Sequence, residues 1–188
     1  MRTQFTGTRN FCLMIMVSLD ESLHEVVSLC KRSCSERMNK CLQEDGTHHF
    51  SLFAGQKLTY EQATELSYEV KGNSTLLPNF HVTGLMPWGS GVYLSTDTKI
   101  DHIMDAIHAP FALKTPQLHL SIYRVKGYKP FSEYKKEINQ VKEALSSIEN
   151  FGYAKGTSIV LKEIGAKYDG SDGRFYRILY SESDQSHP

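Results

Sequence analysis

The chain has 188 residues and a hydrophobic share of 40%, which suits one globular domain or two small lobes sharing a core. Lys plus Arg equals Asp plus Glu at 21 each, so there is no bulk attraction toward long nucleic acid, which shows as a basic domain; a small nucleotide or short oligonucleotide held by a local cluster of donors stays open. No apolar segment is long enough to span a bilayer, and four cysteines without a CxxC pair argue for a reducing, cytoplasmic setting.

Residues 1–10 are polar and read as a flexible tail. Phe11 to Leu19 is the first apolar run. It meets Asp20 and Glu21 without a small-residue cleavage site, so a buried strand is expected rather than a signal peptide. Ser22 and Glu25 fit a capping box, and Leu23, Val26, Val27, Cys30, Cys34, Met38 and Cys41 recur at helical spacing up to the exit at Gly46. On that stripe the cysteines are small hydrophobes; with His24 they match no zinc spacing, and no metal or other cofactor is expected. A strand at His49 to Phe53 follows. Thr59 and Gln62 then cap a second helix with Ala63, Leu66 and Val70 inside, ended by Gly72-Asn73. Phe80 to Met86 and Gly91 to Ser95 read as strands joined by a Pro87–Gly91 turn. Ile100, Ile103, Met104 and Ile107 mark a short helix before Pro110.

A second histidine strand runs near 117–124. The spacing of Phe131, Tyr134, Ile138, Val141, Leu145 and Ile148 predicts a helix over 131–150, with Gly152 as its cap. A closing hairpin spans 157–164 and 174–181 around the loop 169–173, and residues 182–188 form a second flexible tail. Mixed rather than alternating elements favour an α+β fold with largely antiparallel sheets, in a single domain over 1–188.

The two histidine strands share a pattern. His49-Phe50-Ser51-Leu52-Phe53 and His119-Leu120-Ser121-Ile122-Tyr123 both read His, apolar, Ser, apolar, aromatic. Strict alternation puts His, Ser and the aromatic residue on one face and anchors the strand by the two apolar residues behind. Two such strands face to face make a polar cleft with two imidazoles, suited to phosphoryl transfer. His81-Val82-Thr83-Gly84 starts in the same way, but Gly84 stands where an anchoring apolar residue is needed, so His81 is set aside.

Two His-x-Ser strands 70 positions apart resemble the signature of the 2H phosphoesterase superfamily, which includes LigT-like 2′,3′-cyclic phosphodiesterases and 2′,5′-phosphodiesterases. The resemblance implies a bilobal fold, two pseudo-symmetric lobes with antiparallel sheets enclosing a central cleft. It implies metal-independent hydrolysis of 2′,3′-cyclic phosphate or 2′,5′-phosphodiester bonds in RNA-derived nucleotides, with oligoadenylate and cyclic dinucleotides among the substrates. His49 and His119 would be the acid and base, and Ser51 and Ser121 the phosphate donors. Tyr123, Tyr168 and Tyr176 are the candidates to stack on a base or reach a phosphate. Arg124, opposite Tyr123 by alternation, is expected to point away from the cleft. The partner expected is a small nucleotide or short oligonucleotide, acted on by a monomer without membrane or long nucleic acid. The alternative is a non-catalytic nucleotide-binding module on the same fold.

Overall fold

The computed structural model describes residues 7–39, 42–43, 46–72, 77–86, 88–89, 91–107, 109, 116–125, 132–166 and 174–180, the last stretch by its backbone. In chain order the elements are β1 (Arg9–Leu19), α1 (Glu21–Ser33), α2 (Glu36–Asn39), β2 (His49–Leu58), α3 (Tyr60–Gly72), β3 (Asn79–Met86), β4 (Gly91–Thr96), α4 (Asp101–Ala106), β5 (His119–Arg124), α5 (Ser132–Leu145), β6 (Tyr153–Ala166) and β7 (Arg174–Tyr180). The expected order of strand, helix, histidine strand, helix and hairpin therefore occurs, and so does its second pass.

Every strand pairing is antiparallel, in the order β1-β2-β5-β4-β3-β6-β7, and a further β1–β6 pairing closes six strands into a ring. Within the ring the registers divide it in two. β1 runs beside β6 from Asn10↔Ile164 to Leu19↔Ala154 and beside β2 from Arg9↔Leu58 to Met16↔His49. β4 lies between β3 and β5. The seams between these halves are short: Asn79–His81 with Tyr153–Lys155, and Phe50 with Leu120. The result is an α+β fold of two half-sheets, each with one histidine strand at the seam.

The helices cover one face of the ring. Leu23, Val26, Val27 and Cys30 of α1, Ala63, Leu66 and Val70 of α3, Ile103 of α4 and Tyr134, Ile138, Val141 and Leu145 of α5 pack into one core with Phe11, Leu13, Ile15, Phe50, Val92, Leu94 and Leu120 from the strands. Burial keeps the Cys30 thiol neutral by pushing it up to about 12, as suits a small hydrophobe. A smaller apolar patch of Cys12, Met14 and Val160, with Met16 and Ile164 at its edge, lies across β1 and β6 away from that core.

Local chemistry sets several boundaries. Thr59 and Gln62 form the expected capping box, with Gln62 Oε1 accepting from Thr59 N at 3.0 Å and Thr59 Oγ1 accepting from Gln62 N at 3.2 Å. The first helix is capped elsewhere than expected. Asp20 Oδ1 accepts from Leu23 N at 2.9 Å, while its Oδ2 accepts from Tyr153 N at 2.8 Å, so a cap two residues earlier also clasps the start of β6. The apolar stripe does not run on as one helix: Cys34 is extended at φ −99° and ψ 145°, and α2 restarts at Glu36. Gly152 lies beyond the end of α5 at φ +88°, where an added Cβ would strike Asp20 and Ser22; it fits the chain under the clasp rather than capping α5.

The register between β4 and β5 steps by one between Val92↔Tyr123 and Tyr93↔Ser121, leaving Ile122 as the extra residue of a β-bulge. Gly91 makes the bulge possible, because a Cβ there would overlap the Tyr123 carbonyl oxygen and stand 3.1 Å from Arg124 Cα. Replacing Gly91→Ala should therefore lower stability by about 1–3 kcal/mol, as backbone-crowding substitutions do. Urea unfolding checks this; an unchanged midpoint would show that β5 shifts without cost.

Candidate active site

Phe50 and Leu120 are Cα partners and are both fully buried. Their flanking residues His49, Ser51, His119 and Ser121 are half-exposed, so they project from the opposite face of the sheet. Extending the register by one residue each way sets His49 beside Ser121 and Ser51 beside His119. On a regular antiparallel ladder that register puts the four side chains at the corners of a square, the imidazoles on one diagonal with Cβ atoms about 7–8 Å apart and each with the other strand's serine about 4.5–5.5 Å away.

The square continues outward in two rows. One runs Met16, His49, Ser121, Tyr93; the other runs Met14, Ser51, His119, Ser95. Ser95 Oγ donates to the Gly84 carbonyl at 3.2 Å and lies 3.0 Å from Thr83 Oγ1, which holds the outer end of the second row.

Each imidazole is oriented by the backbone two residues before it. His49 Nδ1 lies 2.8 Å from the Thr47 carbonyl oxygen and His119 Nδ1 lies 3.1 Å from the Gln117 carbonyl oxygen. A carbonyl only accepts, so Nδ1 carries the hydrogen in both rings and the titrating lone pair sits on Nε2. Two rings held alike can each take or give a proton at Nε2.

The aromatic candidates fare differently. Tyr123 does not line the cleft. Its side chain is 0% exposed in the core, and its hydroxyl donates to Met38 Sδ. The bulge at Ile122 explains the correction: both Ile122 and Tyr123 face the core, which breaks the alternation that placed Tyr123 beside Ser121. β2 has the same device. The register steps between Leu13↔Phe53 and Met14↔Ser51, leaving Leu52 extra, and Phe53 packs against the core instead of standing beside Ser51. Tyr168 lies outside the described residues. Tyr176 is described as a backbone position on β7 paired with Ile164.

The bulge also reverses the expectation for Arg124. With Tyr123 turned inward, the next residue faces outward, and Arg124 is exposed on the side of His119 and Ser121. The signal was present as Ser-Ile-Tyr-Arg, two adjacent apolar residues closing a strand that otherwise alternates. Tyr93 and Trp88 were also missed. Their rings lie 5.4 Å and 4.8 Å from the His119 ring, at 82° and 86° to it. His81 is on the outer side of β3, with Nδ1 3.2 Å from Asp97 Oδ1 and its ring 5.0 Å from that of Tyr153.

Elsewhere on this face Lys162 pairs with Cys12 across β6 and β1, and burial draws its ammonium below the ordinary lysine value while Cys12 pulls the other way. Two concavities of about 370 and 310 Å³ gather around Ser18 and Leu19 at the end of β1, and the square lines neither. Among the described residues no helix is long and apolar enough to cross a membrane.

Because Tyr123 is a core residue, Tyr123→Ala should cost about 3–5 kcal/mol in urea unfolding, the range for emptying a large aromatic site. A loss near the ~0.5 kcal/mol of a surface substitution would return the ring to the cleft.

No protein-family model matches the chain, and no curated protein matches its sequence. Solved structures do match its fold. LigT of E. coli complexed with phosphate aligns at a TM-score of 0.56 with 12% identity, over 94% of this chain and 97% of that one. LigT complexed with ATP aligns at 0.53 with 12% identity, over 94% and 97%. A structure described as a phosphoesterase aligns at 0.55 with 12% identity, over 93% and 97%. With two half-sheets meeting at their histidine strands, and alignment over nearly the whole length of LigT, the chain has the LigT-like 2H phosphoesterase fold.

Proposed function

We propose that the protein is a metal-independent phosphodiesterase that hydrolyses 2′,3′-cyclic phosphate or 2′,5′-phosphodiester bonds in RNA-derived nucleotides, including short oligoadenylates and cyclic dinucleotides. The reading is carried by the matched orientation of His49 and His119, each with Nδ1 tied to a carbonyl and a serine alongside. The complexes of E. coli LigT with phosphate and with ATP are in keeping with a phosphate-accepting groove on this fold.

Hydrolysis of a phosphodiester needs a base to take the proton of the attacking water and an acid to protonate the departing ribose oxygen, on opposite sides of phosphorus. Imidazoles at opposite corners of the square suit this, one neutral and one protonated at Nε2. Ser51 and Ser121 occupy the other two corners, where their hydroxyls can donate to the phosphoryl oxygens as negative charge builds. Arg124, exposed three residues along the strand from Ser121, adds a positive charge on that side. For a 2′,3′-cyclic substrate, expulsion of the 3′ oxygen leaves the phosphate on the 2′ oxygen.

The test is a panel of 2′,3′-cyclic mononucleotides, 2′,5′- and 3′,5′-linked dinucleotides and cyclic dinucleotides, incubated in excess EDTA and read by mass spectrometry. Cleavage of 2′,3′-cyclic mononucleotides or of 2′,5′-linked dinucleotides should persist in EDTA, show a bell-shaped dependence of kcat/KM on pH, and fall about 10²–10⁴-fold in His49→Ala and in His119→Ala. Ser51→Ala and Ser121→Ala should each cost about 10²-fold. Activity that survives both histidine substitutions, or that EDTA alone removes, rejects the reading. Binding of nucleotide by calorimetry without any product would make the protein a binding module instead.

A further inference from the structure

The four corners of the square match in pairs, but its two flanks do not. On the β1 flank, His49 and Ser51 are bordered by Met16 and Met14. On the β4 flank, Ser121 and His119 are bordered by Tyr93 and Ser95, and Trp88 comes over from the β3–β4 connection. Trp88, Tyr93 and His119 form a closed triangle of rings, with centroids 4.8, 5.3 and 5.4 Å apart and all three pairs steeply inclined. Tyr93 is 4% exposed beneath this cluster, whereas Trp88 is 49% exposed.

A single exposed tryptophan needs no explanation on its own. This one touches a ring of the site and is held from two sides. Lys142 Nζ of α5 donates to its carbonyl at 3.0 Å, and its own N–H donates to the Met86 carbonyl at 2.8 Å. The backbone of Trp88 is therefore tethered, and its indole rests against Tyr93 and His119 while half of the residue stays open to water at the edge of the square. Half-open aromatic surface beside a phosphate site fits a planar ring carried by the substrate, and stacking of that kind is tolerant of which base is offered.

We propose that Trp88, braced by Tyr93, is the base-stacking residue of this site. The substrate would then carry a nucleobase on the sugar next to the phosphate at His119. A base-free sugar or polyol phosphate would be a poor substitute. The assignment rests on the phosphodiesterase reading of the square, and it makes Trp88 a residue of specificity rather than of the chemical step. The methionine flank offers soft apolar surface and no ring, so the base lies on the β4 side.

The chain's one tryptophan makes the test direct. Intrinsic fluorescence of the purified full chain is titrated with adenosine 2′-monophosphate, ribose 5-phosphate and inorganic phosphate. The nucleotide should quench saturably at a concentration about tenfold or more below that at which either base-free phosphate acts. Turnover of 2′,3′-cyclic AMP is then compared with that of a base-free five-membered cyclic phosphate, glycerol 1,2-cyclic phosphate. In Trp88→Ala the ratio of kcat/KM for the two should drop about tenfold, mostly through KM for the nucleotide, and Trp88→Tyr should restore most of it. Equal quenching by all three ligands, or an unchanged ratio in Trp88→Ala, overturns the stacking role. So would an equal loss on both substrates, since Trp88 would then act only by holding His119. These outcomes are separate from the failure of the phosphodiesterase reading, in which neither cyclic phosphate is turned over although selective quenching by nucleotide persists.

Discussion

The contact between Phe50 and Leu120 is what the rest of the molecule depends on. The two residues are opposite one another on the strands that join the half-sheets, and both are removed from water. Phe50 also stacks on Phe80 of β3, with ring centroids 4.1 Å apart and planes at 27°. The apolar side of each histidine strand thus welds the halves together, and the polar side is positioned as a consequence. A slip of either strand by one residue at this seam would send that strand's imidazole into the core and bring its apolar anchors to the surface. Stability and site geometry are fixed by the same pair of residues.

The bulges refine that arrangement. An unbroken strand through either motif would put an aromatic ring beside each serine. In both strands the extra residue falls directly after the serine, at Leu52 and at Ile122, so Phe53 and Tyr123 are added to the core instead. The groove keeps small polar residues at its centre and loses two bulky rings. On β5 the same step brings Arg124 to the outer face, next to Gly91, where there is no side chain to obstruct it. Repetition of the device in both halves ties it to the site.

Much of this was legible in the amino-acid order, because much of it is local. The His-x-Ser units need only alternation to put their polar groups on one face, and the orienting carbonyls at Thr47 and Gln117 are two residues from their rings. The Thr59–Gln62 box closes within a single turn. What was misread depends on partners far away in the chain. Ser22 and Asp20 are both good cap residues; the bond from Tyr153 N, 133 positions on, favours Asp20. The apolar stripe of the first helix continues past Cys34, yet the chain turns there, and Met38 meets Tyr123 across the core. Tyr123 itself was misplaced because a bulge is a property of two strands, and only the tolerance of Gly91 for the Tyr123 carbonyl lets it form.

Pseudo-symmetry has a further consequence for how such a site can change. The corners of the square are positioned on their strands by the Phe50–Leu120 register. The flanks lie on the neighbouring strands. Tyr93 and Ser95 belong to β4, Met14 and Met16 to β1, and Trp88 to a connection whose sequence the square does not dictate. Substitutions at the flanks leave the Phe50–Leu120 contact itself intact while altering the surface around the square. On this fold the groups proposed to face phosphate are positioned by the core, and the proposed stacking residue Trp88 is half-exposed outside it.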